Sequence, residues 1–205
     1  LTYAQTHPTR VKGLVLRGIF LCEQSEIDYF YEAGERGEGT GAFFPDAFEE
    51  FMQPIKNVAG KNIVDKYHKL LKSEDQAVRS AAAQVWTLYE TKLAYLEVSP
   101  EEVDSAKTDQ FALPFARIEN HYFYNNAFFD EKTAIMNNLE KIKHIPTYIV
   151  HGRYDVVCAP SVAWKLHKKL PNSKLHFAPR SGHSAKEPVI KAKLQEYMET
   201  IWHQV

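Results

Sequence analysis

Apolar positions change their spacing twice along this chain. Residues 11–20, VKGLVLRGIF, contain the continuous apolar run Leu14-Val15-Leu16, the pattern of a strand buried on both faces of a parallel sheet. The five residues LTYAQ before it have helix-forming character, and His7-Pro8 ends that helix, because proline disfavours helix in the residue it follows. Helix, short turn and buried strand form one step of an α/β domain. From residue 23 the spacing becomes helical and stays so to about residue 138. Residues 25–33 and 45–54 are rich in aromatics and carboxylates, residues 64–72 and 77–96 have the 3.6 period, and residues 111–129 are aromatic and helical in part. Between the first two lies GERGEGTGA, residues 34–42, a mobile loop by composition. It lacks the G-x-G-x-x-G spacing and the preceding strand of a dinucleotide site.

The α/β pattern then returns. Residues 147–150 form a short β-rich run after Pro146. Residues 161–170 form an amphipathic helix with Ser161 as its expected cap. Residues 175–178 form a further strand, and residues 187–203 a closing helix. The expected organisation is partial α/β core at 1–22, helical insertion at 23–138, and α/β core again at 139–205. Three short buried-type strands are fewer than a doubly wound sheet normally has, and they leave long edges. With its helical opening and no initiator methionine, the chain reads as the C-terminal part of a longer domain.

Composition removes several function classes. The formal net charge is -1, with 44% hydrophobic and 25% charged residues, so no global field draws the chain to nucleic acid or an anionic membrane. The basic stretch at residues 165–174 is interrupted by His, Leu and Pro and reads as a solvated helix face. No run approaches the roughly 18 apolar residues of a membrane span. The two cysteines, Cys22 and Cys158, match no metal or redox spacing. A disulfide between them stays open, and a reduced cytoplasmic protein is the simpler reading.

Two loops carry candidate chemistry. Asp155, in VHGRYDVV, follows the end of a parallel strand, where open α/β sheets place functional groups, although Asp also favours plain turn caps. His183, in SGHS, follows the next strand; it is one of nine histidines, and a surface-loop role is the plain alternative. Imidazole suits general-base work because its pKa lies near neutral, and a carboxylate on the other ring nitrogen fixes the tautomer. Asp then His, each after a successive strand, follows the Ser…Asp…His order of α/β-hydrolases, and the pair favours the catalytic reading. No G-x-S-x-G nucleophile elbow and no His-Gly-Gly oxyanion loop occurs in the 205 residues. Ser181 and Ser184 flank His183 without the strand-to-helix elbow that a nucleophile needs.

Several long strings resemble proline iminopeptidases, α/β-hydrolases that remove N-terminal proline from peptides. They are YAQTHPTRVKGLVLRGIF, FFPDAFEEFMQPI, FARIENHYF, GRYDVVCAP and GHSAKEP, which together run nearly end to end. The resemblance implies Asp155 as triad acid and His183 as triad base. It also implies Glu119 and Glu90 as carboxylates for the substrate's α-ammonium group, and Phe20, Phe123 and Cys158 as the lining of an apolar pocket for the pyrrolidine ring. Arg17, at the end of its strand, is expected to help hold the substrate or these carboxylates, or to serve in a structural salt bridge. Phe48 stands where the family usually has Trp, and the glycine-rich loop looks expanded.

The expected function is therefore serine-type release of N-terminal proline from peptides, with no cofactor and no metal. The nucleophile is expected about two helical turns before Leu1. The 205-residue chain alone is expected to be inert. An esterase or epoxide hydrolase with a helical cap, and a non-catalytic truncated product, are the alternatives.

Overall fold

The structure, a computed structural model, describes residues 1–203. Gln204 and Val205, the end of the expected 139–205 segment, lie outside the described residues. In chain order the elements are α1 (Thr2–Thr6), β1 (Leu14–Arg17), α2 (Gln24–Ile27), α3 (Pro45–Met52), α4 (Ile63–Leu71), α5 (Gln76–Ala94), α6 (Pro100–Ala106), α7 (Asp109–Tyr124), β2 (Thr147–Gly152), α8 (Pro160–Lys169), β3 (Ser173–Ala178) and α9 (Pro188–Trp202), with short 3-10 and π turns between them. Two compact units result: Leu1–Leu21 with Phe129–Val205, and Cys22–Phe128.

The first unit is a three-layer α/β sandwich. Its parallel sheet has the order β1-β2-β3, with Leu14 opposite Thr147 and Thr147 opposite Ser173. The period-2 alternation of side chains divides the sheet cleanly. Leu14, Leu16, Ile149, Leu175 and Phe177 face a core shared with Ala4 of α1, with Ile135, Leu139 and Ile142, and with Ala163, Leu166 and Leu170 around α8. Val15, Tyr148, Val150 and Ala178 face the other way, onto Ile190, Leu194, Tyr197 and Ile201 of α9. Residues 129–138 pack in this unit: Ile135 is buried in its core, and its carbonyl accepts a bond from Gln5 Nε2 at 2.8 Å. The cap of α8 is Ala159 with Pro160 in the first turn, so Ser161 lies inside the helix and does not cap it. Proline suits that position because its missing N–H has no intrahelical partner there.

The second unit is helical, and no strand occurs among its described residues. Its core is an aromatic stack. Phe51 lies nearly parallel to Tyr67 at 4.7 Å and to Tyr89 at 4.4 Å, and Tyr31 lies on Trp86 at 4.5 Å. Trp86, Tyr67 and Phe51 are fully buried. Such pairs add roughly 0.5–1.5 kcal/mol each beyond area burial. Glu32 caps α4 from a distance, its carboxylate accepting the N–H groups of Ile63 at 2.9 Å and Val64 at 3.3 Å. The glycine-rich segment, read from composition as a mobile loop, is exposed at residues 35–38 and packed at its two ends. Thr40 is buried, with its hydroxyl 2.6 Å from the Phe30 carbonyl and 2.7 Å from the Tyr89 hydroxyl. Phe48 presses so closely on Gly34 that a Cβ there would fall 2.4 Å from its ring, and Gly39 and Gly41 are likewise closely approached, whereas Gly37 faces open space.

Candidate active site

In the α/β unit, the loops that follow β2 and β3 are joined through their backbones. Arg153 N–H donates to the Ala178 carbonyl at 2.9 Å, and Tyr154 N–H to the Ser181 carbonyl at 3.0 Å. Gly152 permits this approach, since a Cβ there would fall 1.8 Å from the Gly182 carbonyl oxygen. Asp155 and His183, 28 residues apart, therefore meet: His183 Nδ1 lies 2.9 Å from Asp155 Oδ2. The Asp155 side chain is fully buried, and that of His183 is 15% exposed. Oδ1 of Asp155 accepts the N–H groups of Val157 at 3.0 Å and Cys158 at 2.8 Å. With both oxygens bonded, the carboxylate is held in one orientation. The arrangement can fix the Nδ1–H tautomer of His183 and leave Nε2 to exchange a proton. Ser181, which flanks the histidine, is buried and turns its hydroxyl to the Pro179 carbonyl at 3.1 Å, away from any role as nucleophile.

Arg17, at the end of β1, donates from Nη1 to the His183 carbonyl, and it makes no ion pair among the described residues. It supports the loop that carries the histidine; the structural salt bridge weighed from the sequence does not form. Cys158 is buried, and neither it nor Cys22 is joined in a disulfide. Phe20 is half-buried in the loop after β1.

The carboxylates expected for amine recognition lie in the helical unit, around one tyrosine. Glu119 of α7 accepts a bond from Trp86 Nε1–H at 2.7 Å and approaches the Tyr31 hydroxyl at 3.5 Å. Phe123, one turn on, packs against the Tyr31 ring at 5.6 Å. Tyr31 is held well above the ordinary phenol range by burial first, then by the negative charges of Glu119 and Glu90. Glu119 of α7 touches that hydroxyl, and the charge of Glu90 of α5 also raises its pKa. A pair of carboxylates around one polar point can hold an ammonium group by charge-assisted hydrogen bonds.

Two features of the α/β unit had gone unnoticed in the sequence. His151 sits within β2, fully buried, with Nε2 2.8 Å from the Cys158 carbonyl and 3.4 Å from Asp155 Oδ2. Gly18, at φ 54°, makes room for the ring of His183. A histidine inside the apolar run TYIVHG was the available signal for the first. Among the described residues, no cluster of three or more His, Cys, Asp or Glu side chains could hold a metal ion, and no helix is long and apolar enough to cross a membrane.

Comparison with known proteins agrees with this architecture. The chain is 50% identical over 195 residues to a proline iminopeptidase of Arabidopsis thaliana, covering 95% of this chain and 50% of the relative. It is 44% identical to a proline iminopeptidase of Xylella fastidiosa (92% and 58% covered) and 43% identical to one of Neisseria meningitidis (98% and 62%). The chain thus spans half to about three fifths of the length of these curated relatives. Among solved structures, a lipase candidate from Acinetobacter baumannii superposes with a TM-score of 0.53 at 13% identity, over 98% of this chain and 56% of that one, a likeness of fold alone. A family profile described as the alpha/beta hydrolase fold matches residues 1–187. With its parallel sheet, helical insertion and Asp–His pair after successive strands, the chain belongs to the α/β-hydrolase family.

Proposed function

We propose that this protein, at the length of its relatives, is a serine-type aminopeptidase that releases proline from the N-terminus of peptides. The observation that carries the hydrolase part is the 2.9 Å contact between His183 Nδ1 and Asp155 Oδ2. The similarity to proline iminopeptidases, together with the two carboxylates acting on Tyr31, supports the choice of substrate.

In this reading a serine outside the 205 residues attacks the carbonyl carbon of the N-terminal prolyl residue. His183 Nε2 takes the hydroxyl proton as the Oγ–C bond forms. The imidazolium is stabilised by Asp155, and the proton passes to the leaving amine nitrogen as the C–N bond breaks. Water, deprotonated by His183, then attacks the acyl carbon; the C–Oγ bond breaks, His183 returns the proton to the serine oxygen, and proline is freed. Glu119 and Glu90 are assigned to the prolyl ammonium, and Phe123, Phe20 and Cys158 to its ring, on the resemblance to proline iminopeptidases. No G-x-S-x-G occurs within the 205 residues, so this chain alone is expected to be inert. Two cysteines that form no disulfide are in keeping with a reducing compartment such as the cytoplasm.

A cap-bearing esterase is the reading to separate. The test compares hydrolysis of a prolyl arylamide with that of a simple acyl ester by the full-length protein and its Glu119→Gln variant. Preference for the prolyl amide, lost in the variant, is expected. Faster ester turnover that ignores Glu119→Gln would overturn the proposal.

A further inference from the structure

His151 is an expensive residue for its position. It lies in β2 beside Ile149 and Val150, all three fully buried, in a run where an apolar side chain would satisfy packing alone. Its hydrogen bonds determine its chemical form. Ile19 N–H, in the loop after β1, points at Nδ1 from 3.2 Å, so Nδ1 carries a lone pair. The ring hydrogen is then on Nε2, which faces the Cys158 carbonyl at 2.8 Å and Asp155 Oδ2 at 3.4 Å. Cys158 is the residue whose own N–H donates to Asp155 Oδ1 at 2.8 Å. A single neutral imidazole thus joins the β1 loop to the turn that grips the carboxylate, and its ring hydrogen lies near the oxygen that His183 uses.

We propose that His151 is a positioning residue for Asp155, a neutral Nε2–H imidazole that ties the loop after β1 to the 155–158 turn and so sets the angle at which Asp155 meets His183. The inference rests on the hydrolase reading above, in which that angle matters. The charged and titratable groups acting on His151 are Asp155 from its own loop, His183 from the loop after β3 and Arg17 from β1. Phe177 of β3 covers the ring edge-on at 6.3 Å. Burial, the largest influence, opposes protonation, as do His183 and Arg17, while the Asp155 carboxylate and the Cys158 carbonyl favour it. Protonation would also set an N–H on Nδ1 against the Ile19 N–H, two donors facing each other. It would place a second cation on the carboxylate that stabilises the His183 imidazolium. The neutral form avoids both.

The test uses the full-length protein and three substitutions. His151→Gln retains a donor near the Nε2 position, His151→Asn an acceptor near Nδ1, and His151→Phe neither. The quantities read are kcat and KM for a prolyl arylamide across the pH range, the melting temperature, and the NMR resonance of the His183 Nδ1–H proton. His151→Phe is expected to lower kcat by about 10- to 100-fold, as removal of an outer-shell partner does. KM should stay near wild type, the acidic limb of the pH profile should move, and the His183 resonance should shift. His151→Gln should recover the resonance and most of kcat. A folded His151→Phe with wild-type kcat, acidic limb and resonance would overturn the proposal, as would losses in all three variants that follow melting temperature alone. A wild-type protein inactive on prolyl substrates would sink the peptidase reading; the His183 resonance would then decide the positioning role by itself.

Discussion

The imidazole of His183 lies against the backbone of Gly18: a Cβ added at residue 18 would fall 2.8 Å from Cε1 of the ring. Gly18 also has φ 54°, a left-handed conformation that costs an L-residue about 1–2 kcal/mol. Gly18→Ala is expected to do two separable things. It should lower stability by about that amount, read from denaturant unfolding, and it should push the ring off Asp155 Oδ2. In the full-length protein kcat should then fall by about tenfold or more, since roughly 1.4 kcal/mol of misplacement is a factor of ten. Activity unchanged in Gly18→Ala would mean that the ring has room the structure does not give it.

Asp155→Asn isolates the tautomer argument. The carboxylate oxygen that accepts from His183 becomes part of an amide, while the buried volume is nearly unchanged. The expected loss in kcat is about 10⁴-fold, the size seen when a triad histidine is left in the wrong tautomer. Adding His183→Ala should cost far less than the product of the two single losses, because the residues act as one unit. Multiplicative losses, measured at saturating prolyl arylamide, would contradict a joint role.

Trp86→Phe removes the indole N–H that donates to Glu119 Oε2 at 2.7 Å while keeping an aromatic ring over Tyr31. A lost hydrogen bond to a charged group costs about 1.5–3 kcal/mol. With Glu119 less firmly oriented, KM for a prolyl substrate is expected to rise several-fold and kcat to change little. Steady-state kinetics with a prolyl arylamide check this; a fall in kcat at constant KM would assign Glu119 a different part.

Stability should depend on pH through buried His151. Burial lowers its folded-state pKa below the ordinary value near 6.5, against the pull of Asp155. Below that value the unfolded chain binds a proton that the folded chain refuses. The contribution is therefore fully present above about pH 6.5 and is lost as pH falls toward the lowered folded value. His176, lowered by burial and then by Lys193, acts in the same direction. One such group gives a slope of at most about 1.4 kcal/mol per pH unit. Urea unfolding of wild type and His151→Phe between neutral and mildly acidic pH should show the steeper loss in wild type. Equal slopes would mean that His151 takes up its proton in the folded state.

The strands and the Asp–His pair were legible because each leaves a local mark: Leu14–Arg17, Thr147–Gly152 and Ser173–Ala178 contain short apolar or β-rich runs, Asp155 follows the second and His183 the third. What the sequence hid depends on contacts between distant segments. GERGEGTGA has the composition of a mobile loop, and contacts with distant residues, such as the Phe48 ring over Gly34 and the Tyr89 hydroxyl at Thr40, pack its two ends. Residues 129–138 lack a strand and so read as part of the helical block, yet Ile135 belongs to the core under the sheet. His151 looks like one more histidine until Ile19 N–H is found on its Nδ1. Glu119 was recognised by resemblance; its indole partner, 33 residues earlier, has no sequence spacing to betray it.

Leu21 is buried in the core beneath the sheet, and Phe129 packs against that same core. The helical unit Cys22–Phe128 thus leaves and rejoins the chain at two points fixed on one apolar floor, while every bond that joins Asp155 to His183 is made outside it. In the proposed function, where the helices supply the site for the substrate's ammonium group and Asp155 with His183 the proton relay, selection could rewrite the 107 intervening residues, exchanging one taste in substrates for another, without retuning that relay. The reverse does not hold, because a change at Gly18, Gly152 or His151 would reach the relay whatever substrate the helices had come to prefer.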